Sequence, residues 1–372
     1  MDAPPTIATG ALVAYRLFDV AYAIDLPRVE SLWASRAGGG SSRRKLSSTP
    51  AKAVAFGVPP VSLALDPVTI WLDSVETPAI LSARLYDFGV VTLALRVPLA
   101  NVAWPDFVAR MNAFDAAVGA EAENAVWDSQ MARLRALVGE AFDRPAASML
   151  QEDYLAGLVT EFDAPMTAAE LMQRVDLVPP LSGEHRPLSD GARQDLLRKR
   201  FSYYTDDLVV LTWDRAFIYE PRGETDVIDV LEVANAQLLE MRYYDELLDA
   251  ELPRMYDLVQ TARRTRSLLS SRRFADLARR FYTLVAEVTE LAERVDNALQ
   301  VTEDVYLARI YAAALDLFRV DEVSAAVNRK LAIIRDTYAA LYDEAQGARS
   351  ELLEILIVLL ILGEILLALF RR

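Results

Sequence analysis

The side chains most able to do chemistry crowd into Glu224–Asp257, where Glu224, Asp226, Asp229, Glu232, Glu240, Asp245, Glu246, Asp249, Glu251 and Asp257 fall within a short run. At helical spacing Asp245 and Asp249 share one face, so their oxygens could converge on a divalent cation. A di-metal carboxylate centre in a helical protein would add histidines at the same spacing. The single histidine, His185, lies elsewhere, in the turn-like SGEHRPLSD. The acidic run is therefore read as a solvated face, and no metal is assigned. With no cysteine there is no thiolate nucleophile, zinc knuckle or iron–sulfur cluster. A Ser-His-Asp triad could form only around His185. No phosphate-binding loop, dinucleotide fingerprint or nucleophile elbow occurs. No catalytic residue and no cofactor is expected.

A second charged feature has the opposite sign. Arg263, Arg264, Arg266, Arg272, Arg273, Arg279 and Arg280 stand close together, with Arg266, Arg273 and Arg280 spaced by sevens. On a helix this makes one stripe. It could pair with the acidic helix before Pro253, face anionic lipid headgroups, or meet RNA. Arg272, Arg273, Arg279 and Arg280 are singled out as an interfacial basic belt. The whole chain carries a net charge of −15, which argues against general DNA binding because phosphate attraction dominates that affinity.

These groups must be held by a chain of 372 residues, 53% hydrophobic, enough for one large domain or two ordinary ones. Strands are expected at Ala11–Phe18, Lys52–Phe56, Val68–Trp71, Ile80–Tyr86 and Val90–Val97, which are rich in Val, Ile and aromatics and bounded by Gly or Pro. Helical spacing covers Asp25–Arg36 and Trp104–Phe142, and Asp207–Trp213 with Arg215–Tyr219 reads as a hairpin. The expected fold class is α+β. Residues 1–222 form a head with a mixed or antiparallel sheet and a flexible loop at 38–48. Residues 223–350 form a coiled-coil-like antiparallel hairpin stalk. Its first helix is interrupted at Pro253, the next spans Arg272 to about Phe318, and the turn lies near 319–322 with Asp321 as a candidate N-cap. Residues 351–372 form a membrane anchor.

The anchor rests on LLEILIVLLILGEILLALF at Leu352–Phe370, which lifts the mean hydropathy to +0.15. Leu352, Ile355, Leu359, Leu362, Leu366 and Phe370 supply the apolar surface. Glu364 is expected to face another helix, in its own chain or a second copy. The apolar side chains favour insertion by about 5–8 kcal/mol in total, against roughly 2.5–3.5 kcal/mol for a central carboxylate. The N-terminus, MDAPPTIATG, has no signal-peptide character. The expected location is a bacterial cytoplasmic membrane with the globular part facing the cytoplasm, ahead of a mitochondrial inner membrane.

Three segments carry a family resemblance: LVVLTWDRAFIYEPRGETDVIDVLEVANAQLLEMRYYDELLD at Leu208–Asp249, YDFGVV at Tyr86–Val91, and RSELLEILIVLLILGEI at Arg349–Ile365. The chain resembles the Required for Meiotic nuclear Division family, with its YagE-type domain of unknown function. The resemblance implies membrane-anchored proteins, one of them supporting translation at the mitochondrial inner membrane, and no assigned catalytic residues. It draws attention to Asn235, Gln237, Glu240, Arg242, Tyr243, Tyr244 and Asp245 as a polar cluster, either a buried network locking helix to sheet or a small-molecule site. The resulting expectation is a tail-anchored, non-catalytic scaffold or adaptor that forms homo-oligomers and contacts anionic lipid. The alternatives are an enzyme using the Asn235–Tyr244 region and a membrane tether for ribosome or RNA.

Overall fold

The computed structural model describes residues 4–36, 41–42, 58–119, 125–146, 150–184, 186–264 and 304–370, with scattered helical positions between 279 and 289. The chain divides into two compact units, Met1–Glu240 with Arg294–Asp321, and Met241–Glu293 with Glu322–Arg372.

The first unit is a sheet-rich mixed domain. Its central strand β1 (Thr6–Asp19) is buried along nearly its whole length, in keeping with its mostly apolar sequence. It pairs antiparallel with β7 (Val90–Ala103) on one side and β9 (Gln151–Phe162) on the other. Beyond β7 lie β6 (Val75–Leu85), β4 (Val61–Ala64) and β3 (Ser41–Ser42), and β5 (Val68–Leu72) also pairs β6. Beyond β9 come β12 (Arg215–Tyr219), β11 (Leu208–Leu211) and β10 (Arg200–Phe201). Among the described residues β9 and β12 are the one parallel pair. A small second sheet joins β2 (Ala21–Ile24) to β8 (Phe142–Pro145).

One sheet face is covered by α2 (Trp104–Val118), whose Trp104, Phe107, Met111, Phe114 and Val118 recur at helical spacing and are buried. Trp104 and Phe107 meet Phe217 of β12 edge-on, at 5.6 and 6.2 Å between ring centroids. The close approach explains Gly157 in β9: a β-carbon there would lie 2.7 Å from the Phe107 ring and 3.1 Å from the Met111 sulfur. The helices α1 (Leu26–Arg36) and α3 (Ala125–Val138) add to the same core. Within the helical stretch expected over Trp104–Phe142, α2 ends at Val118 with Gly119 as its extended cap, and α3 covers Ala125–Val138. Three short helices, α4 (Ala168–Arg174), α5 (Val178–Ser182) and α6 (Asp190–Leu196), carry the crossover from β9 toward β12. Thr167 and Glu170 close a capping box at α4.

The other face receives the start of α7 (Asp226–Arg264), where Val230, Leu231, Val233, Ala234, Ala236 and Leu239 are fully buried. It also receives α8 (Val305–Leu317), capped by Asp304, whose carboxylate accepts from the Tyr306 and Leu307 amides. At the end of α8, Phe318 packs edge-on against Tyr154 of β9 at 5.5 Å. Arg319 turns the chain with φ +57° and α9 (Val320–Phe370) follows at once.

Several expectations are corrected here. Pro253 lies inside α7, a helix of 39 residues that runs through it without a break. The long hairpin stalk is not shown: α8, which ends its expected first leg, packs on the sheet of the first unit. Asp321 is the second residue of α9 rather than its cap. The transmembrane helix, the tail anchor and the membrane location are overturned as well. Among the described residues no helix is long and apolar enough to cross a membrane. Leu352, Ile355, Leu359, Leu362, Glu364, Leu366 and Phe370 lie on α9, but the apolar run between Glu354 and Glu364 holds only nine residues. At about 1.5 Å per residue these span about 13 Å, well short of a hydrocarbon layer about 30 Å thick. Of the loop expected at 38–48, Ser41 and Ser42 form β3, paired with β4. The rest of that loop and the strand expected at Lys52–Phe56 lie outside the described residues.

Candidate functional site

Strand alternation puts Arg84 and Tyr86 on one face at the end of β6, and a spacing of three puts Asp229 and Glu232 on one face of α7. The two pairs meet. Arg84 donates from one terminal nitrogen to Glu232 at 2.7 Å and from the other to Asp229 at 2.8 Å, while the Tyr86 hydroxyl donates to the second Glu232 oxygen at 2.8 Å. Glu232 is 3% exposed, so water takes little part in this balance. Burial, and then the charge of Asp229, push the Glu232 carboxyl up, and Arg84 and the Tyr86 hydrogen bond work against that. Burial alone would lower Arg84, but Glu232 and Asp229 outweigh it and hold the guanidinium charged. Tyr15, on the central strand, is raised by burial and by the same two carboxylates. At the head of α7, burial and then the neighbouring Asp229 and Glu224 push Asp226 up to about 6.

The opposite face carries a second set. Arg16, next to Tyr15 and so pointing the other way, donates to the carbonyls of Val118 and Gly119 at 3.3 and 2.8 Å, closing the C-terminus of α2. Arg215, at the start of β12, donates to Asn112 at 2.8 Å, to Asp115 at 2.5 Å and to the Pro180 carbonyl at 3.1 Å. It thereby ties α2 and α5 to the sheet. On the Tyr15 side of the sheet, the Tyr154 hydroxyl shares its one hydrogen between the carbonyls of Arg215 and Thr212, at 2.8 and 3.0 Å. Burial raises Asp153 and Asp214 nearby.

A third grouping is on the surface. Asp190, Arg193 and Gln194 of α6, with Leu197, Arg198 and Arg200 beyond it, line an open depression of about 580 Å³. One Arg193 nitrogen donates to both Asp176 oxygens at 3.1 Å. Lys199, between Arg198 and Arg200 in sequence, donates to Asp316 at 2.5 Å.

The residues singled out from sequence fall as follows. Asn235 is buried and its amide donates to Leu231 of its own helix at 3.1 Å. Gln237 accepts from the Tyr311 hydroxyl of α8 at 2.5 Å. Glu240 is buried in the first unit. Arg242 and Tyr243 are exposed and half-buried in the second unit, Tyr244 is fully buried, and the rings of Tyr243 and Tyr244 lie 5.7 Å apart. Asp245 and Asp249 do share a cation, the ammonium of Lys330 on α9, at 2.7 and 2.6 Å. Among the described residues no group of carboxylates or histidines could hold a metal ion. His185, Arg272, Arg273 and Arg280 lie outside the described residues, and Arg279 is an exposed helical position. Sequence reasoning passed over Arg84, Tyr86, Arg16 and Arg215. The available signal was a charged residue at an inward position of an otherwise apolar strand, as in RLF at Arg16 and ARLY at Arg84.

Residues 9–226 match a family model described as uncharacterized protein MJ0711, N-terminal domain. Uncharacterized protein MJ0711 of Methanocaldococcus jannaschii is 26% identical over 192 residues, which are 51% of this chain. The chain covers 58% of that relative's length. No solved structure matches. This replaces the resemblance to the Required for Meiotic nuclear Division family. Of the three segments that carried it, only Tyr86–Val91 and the first part of Leu208–Asp249 fall inside the matched region. The remainder is acidic or apolar helix, a composition that many unrelated helices share.

Proposed function

We propose that this chain, which belongs to the family of the MJ0711 N-terminal domain, is a non-catalytic scaffold whose copies assemble through the C-terminal helix. The observation that carries the reading is Ile357–Leu362 of α9, six consecutive apolar side chains that are each between 52% and 64% exposed. At about 100° per residue six positions pass around the whole helix. The segment is therefore apolar on every side, and a helix of that kind is normally surrounded. One groove could cover only a single face. Several copies of the same segment, packed together, supply apolar surface from all directions, with roughly 1.5–3 kcal/mol for each side chain fully buried. Each copy then presents its own sheet domain.

The buried charges of that domain suit a holding role, because Arg84, Arg16 and Arg215 each fasten one element to another. The enzyme alternative draws no support from Asn235 and Gln237, whose amides are engaged within the helical layer. The tether alternative depends on the Arg272–Arg280 stripe, which lies mostly outside the described residues. The test is light scattering of the full chain and of a variant with Leu359, Leu360 and Ile361 replaced by Ser. The full chain is expected to be multimeric and the variant to fall toward monomer mass. A full chain that is monomeric at every concentration, or a variant of unchanged mass, overturns the proposal.

A further inference from the structure

The depression beside α6 concentrates positive charge in a protein whose net charge is −15. Arg193, Arg198 and Arg200 converge on it against a single carboxylate, Asp190. Two of the three keep free donors: among the described residues neither the Arg198 nor the Arg200 guanidinium makes a hydrogen bond or close ion pair, and Arg198 feels the Asp316 carboxylate only through its charge. Arg193 is held in place from behind by Asp176, with its remaining nitrogens uncommitted. Like charges gathered with too few partners repel, so an anion that joins them relieves the repulsion. The guanidinium fork binds phosphate oxygens two at a time, and a preoriented fork loses less freedom in doing so. Leu197 adds an apolar patch and Gln194 an amide that can both donate and accept. The size is also suitable, because small-molecule pockets run from about 300 to 1,000 Å³.

We propose that this depression binds a phosphate-bearing small molecule of about nucleotide size, its phosphates on Arg198, Arg200 and Arg193 and its less polar part against Leu197. The site lies inside the family-matched region and is independent of assembly through α9.

The test is calorimetric titration of the full chain with inorganic pyrophosphate, with adenosine diphosphate and with a short single-stranded RNA. Saturable binding of one pyrophosphate or nucleotide per chain is expected, weakening as salt rises. The double variant R198E/R200E should lose at least tenfold in affinity, whereas R110E, at an exposed arginine of α2, should bind as the parent does. Thermal melts establish that each variant folds. Should R198E/R200E melt early, R198K/R200K keeps the charge but loses the fork and should still bind more weakly than the parent. Absence of saturable binding by both small probes overturns the proposal, as does an equal loss in R110E. RNA binding that needs Arg198 and Arg200 while the small probes stay silent replaces it with a polynucleotide surface.

Discussion

The Tyr86 hydroxyl and the Glu232 carboxylate meet at 2.8 Å across the boundary between the sheet and α7, although 146 residues of chain separate them. With Arg84 they make a latch that is charged and largely withdrawn from water. Such a group is stable only when complete, because removing one partner strands the others without solvent. The family-matched region stops at residue 226, so the sheet brings Arg84 and Tyr86 while the acceptors come from the helix beyond.

The latch can be tested by unequal mutations. Arg84→Ala leaves Asp229 and Glu232 buried with no cation and is expected to cost about 3–5 kcal/mol. Tyr86→Phe removes one hydrogen bond to a charged group, for a loss of about 1.5–3 kcal/mol. Urea unfolding followed by far-ultraviolet circular dichroism measures both. The Arg84→Ala deficit should shrink on acidification, because the raised Glu232 carboxyl then takes up a proton. A deficit independent of pH would mean that the carboxylates are not the cause.

A second prediction concerns Asp19, at the end of the central strand. It is 2% exposed, one of its oxygens lacks a hydrogen-bond partner, and burial pushes its carboxyl up to about 7. The folded state therefore holds a proton that the unfolded state, with an ordinary carboxyl near 3.8, gives up much earlier. Stability should fall as pH rises from about 4 to 7 on this account, and the penalty should be complete above 7. Asp19→Asn removes the titration. The variant is expected to melt higher than the parent at pH 8, with the gap closing toward pH 5. A gap that is constant across that range would sink the assignment.

Gly157 supplies a third. Gly157→Ala would drive a methyl to 2.7 Å from Phe107 and should cost about 1–3 kcal/mol through overpacking. Phe107→Leu also destabilises, by opening space at the same spot. The double variant should be more stable than the sum of the two losses allows, and a double-mutant cycle on denaturation midpoints reads that coupling. Strict additivity would show that the two residues do not compete for room.

Much of the sheet was visible in the residues themselves. The run GALVAYRLFD and the alternation in β6 and β7 carry strand character locally, so β1, β6 and β7 stand out. Strand β9 does not, because it opens with Gln151, Glu152 and Asp153 and carries a glycine at its centre. Its burial follows from its place beside β1 and under α2, which no local window contains. The partners of the charged side chains were hidden for a related reason. Asp245 and Asp249 looked able to take a cation, but Lys330, which supplies it, lies on another helix. Attention fell on Asn235–Tyr244 when the charged contact with the sheet is made earlier, at Asp229 and Glu232. On α9 the count of apolar residues suggested a bilayer, whereas the spacing of Glu354 and Glu364 limits what the helix can span.

The neighbours of β1 set a timetable for synthesis. The strand leaves the ribosome before both of its partners and can pair with β7 as soon as Ala103 emerges. Its other edge must wait for β9, about 130 residues behind it, which at 5–20 residues per second is roughly 7–26 s. For that interval a long apolar strand offers an open row of amides and carbonyls to any passing chain. The nascent protein is thus open to misassociation along that edge until β9 appears. A trigger-type chaperone at the tunnel exit would have its greatest effect there.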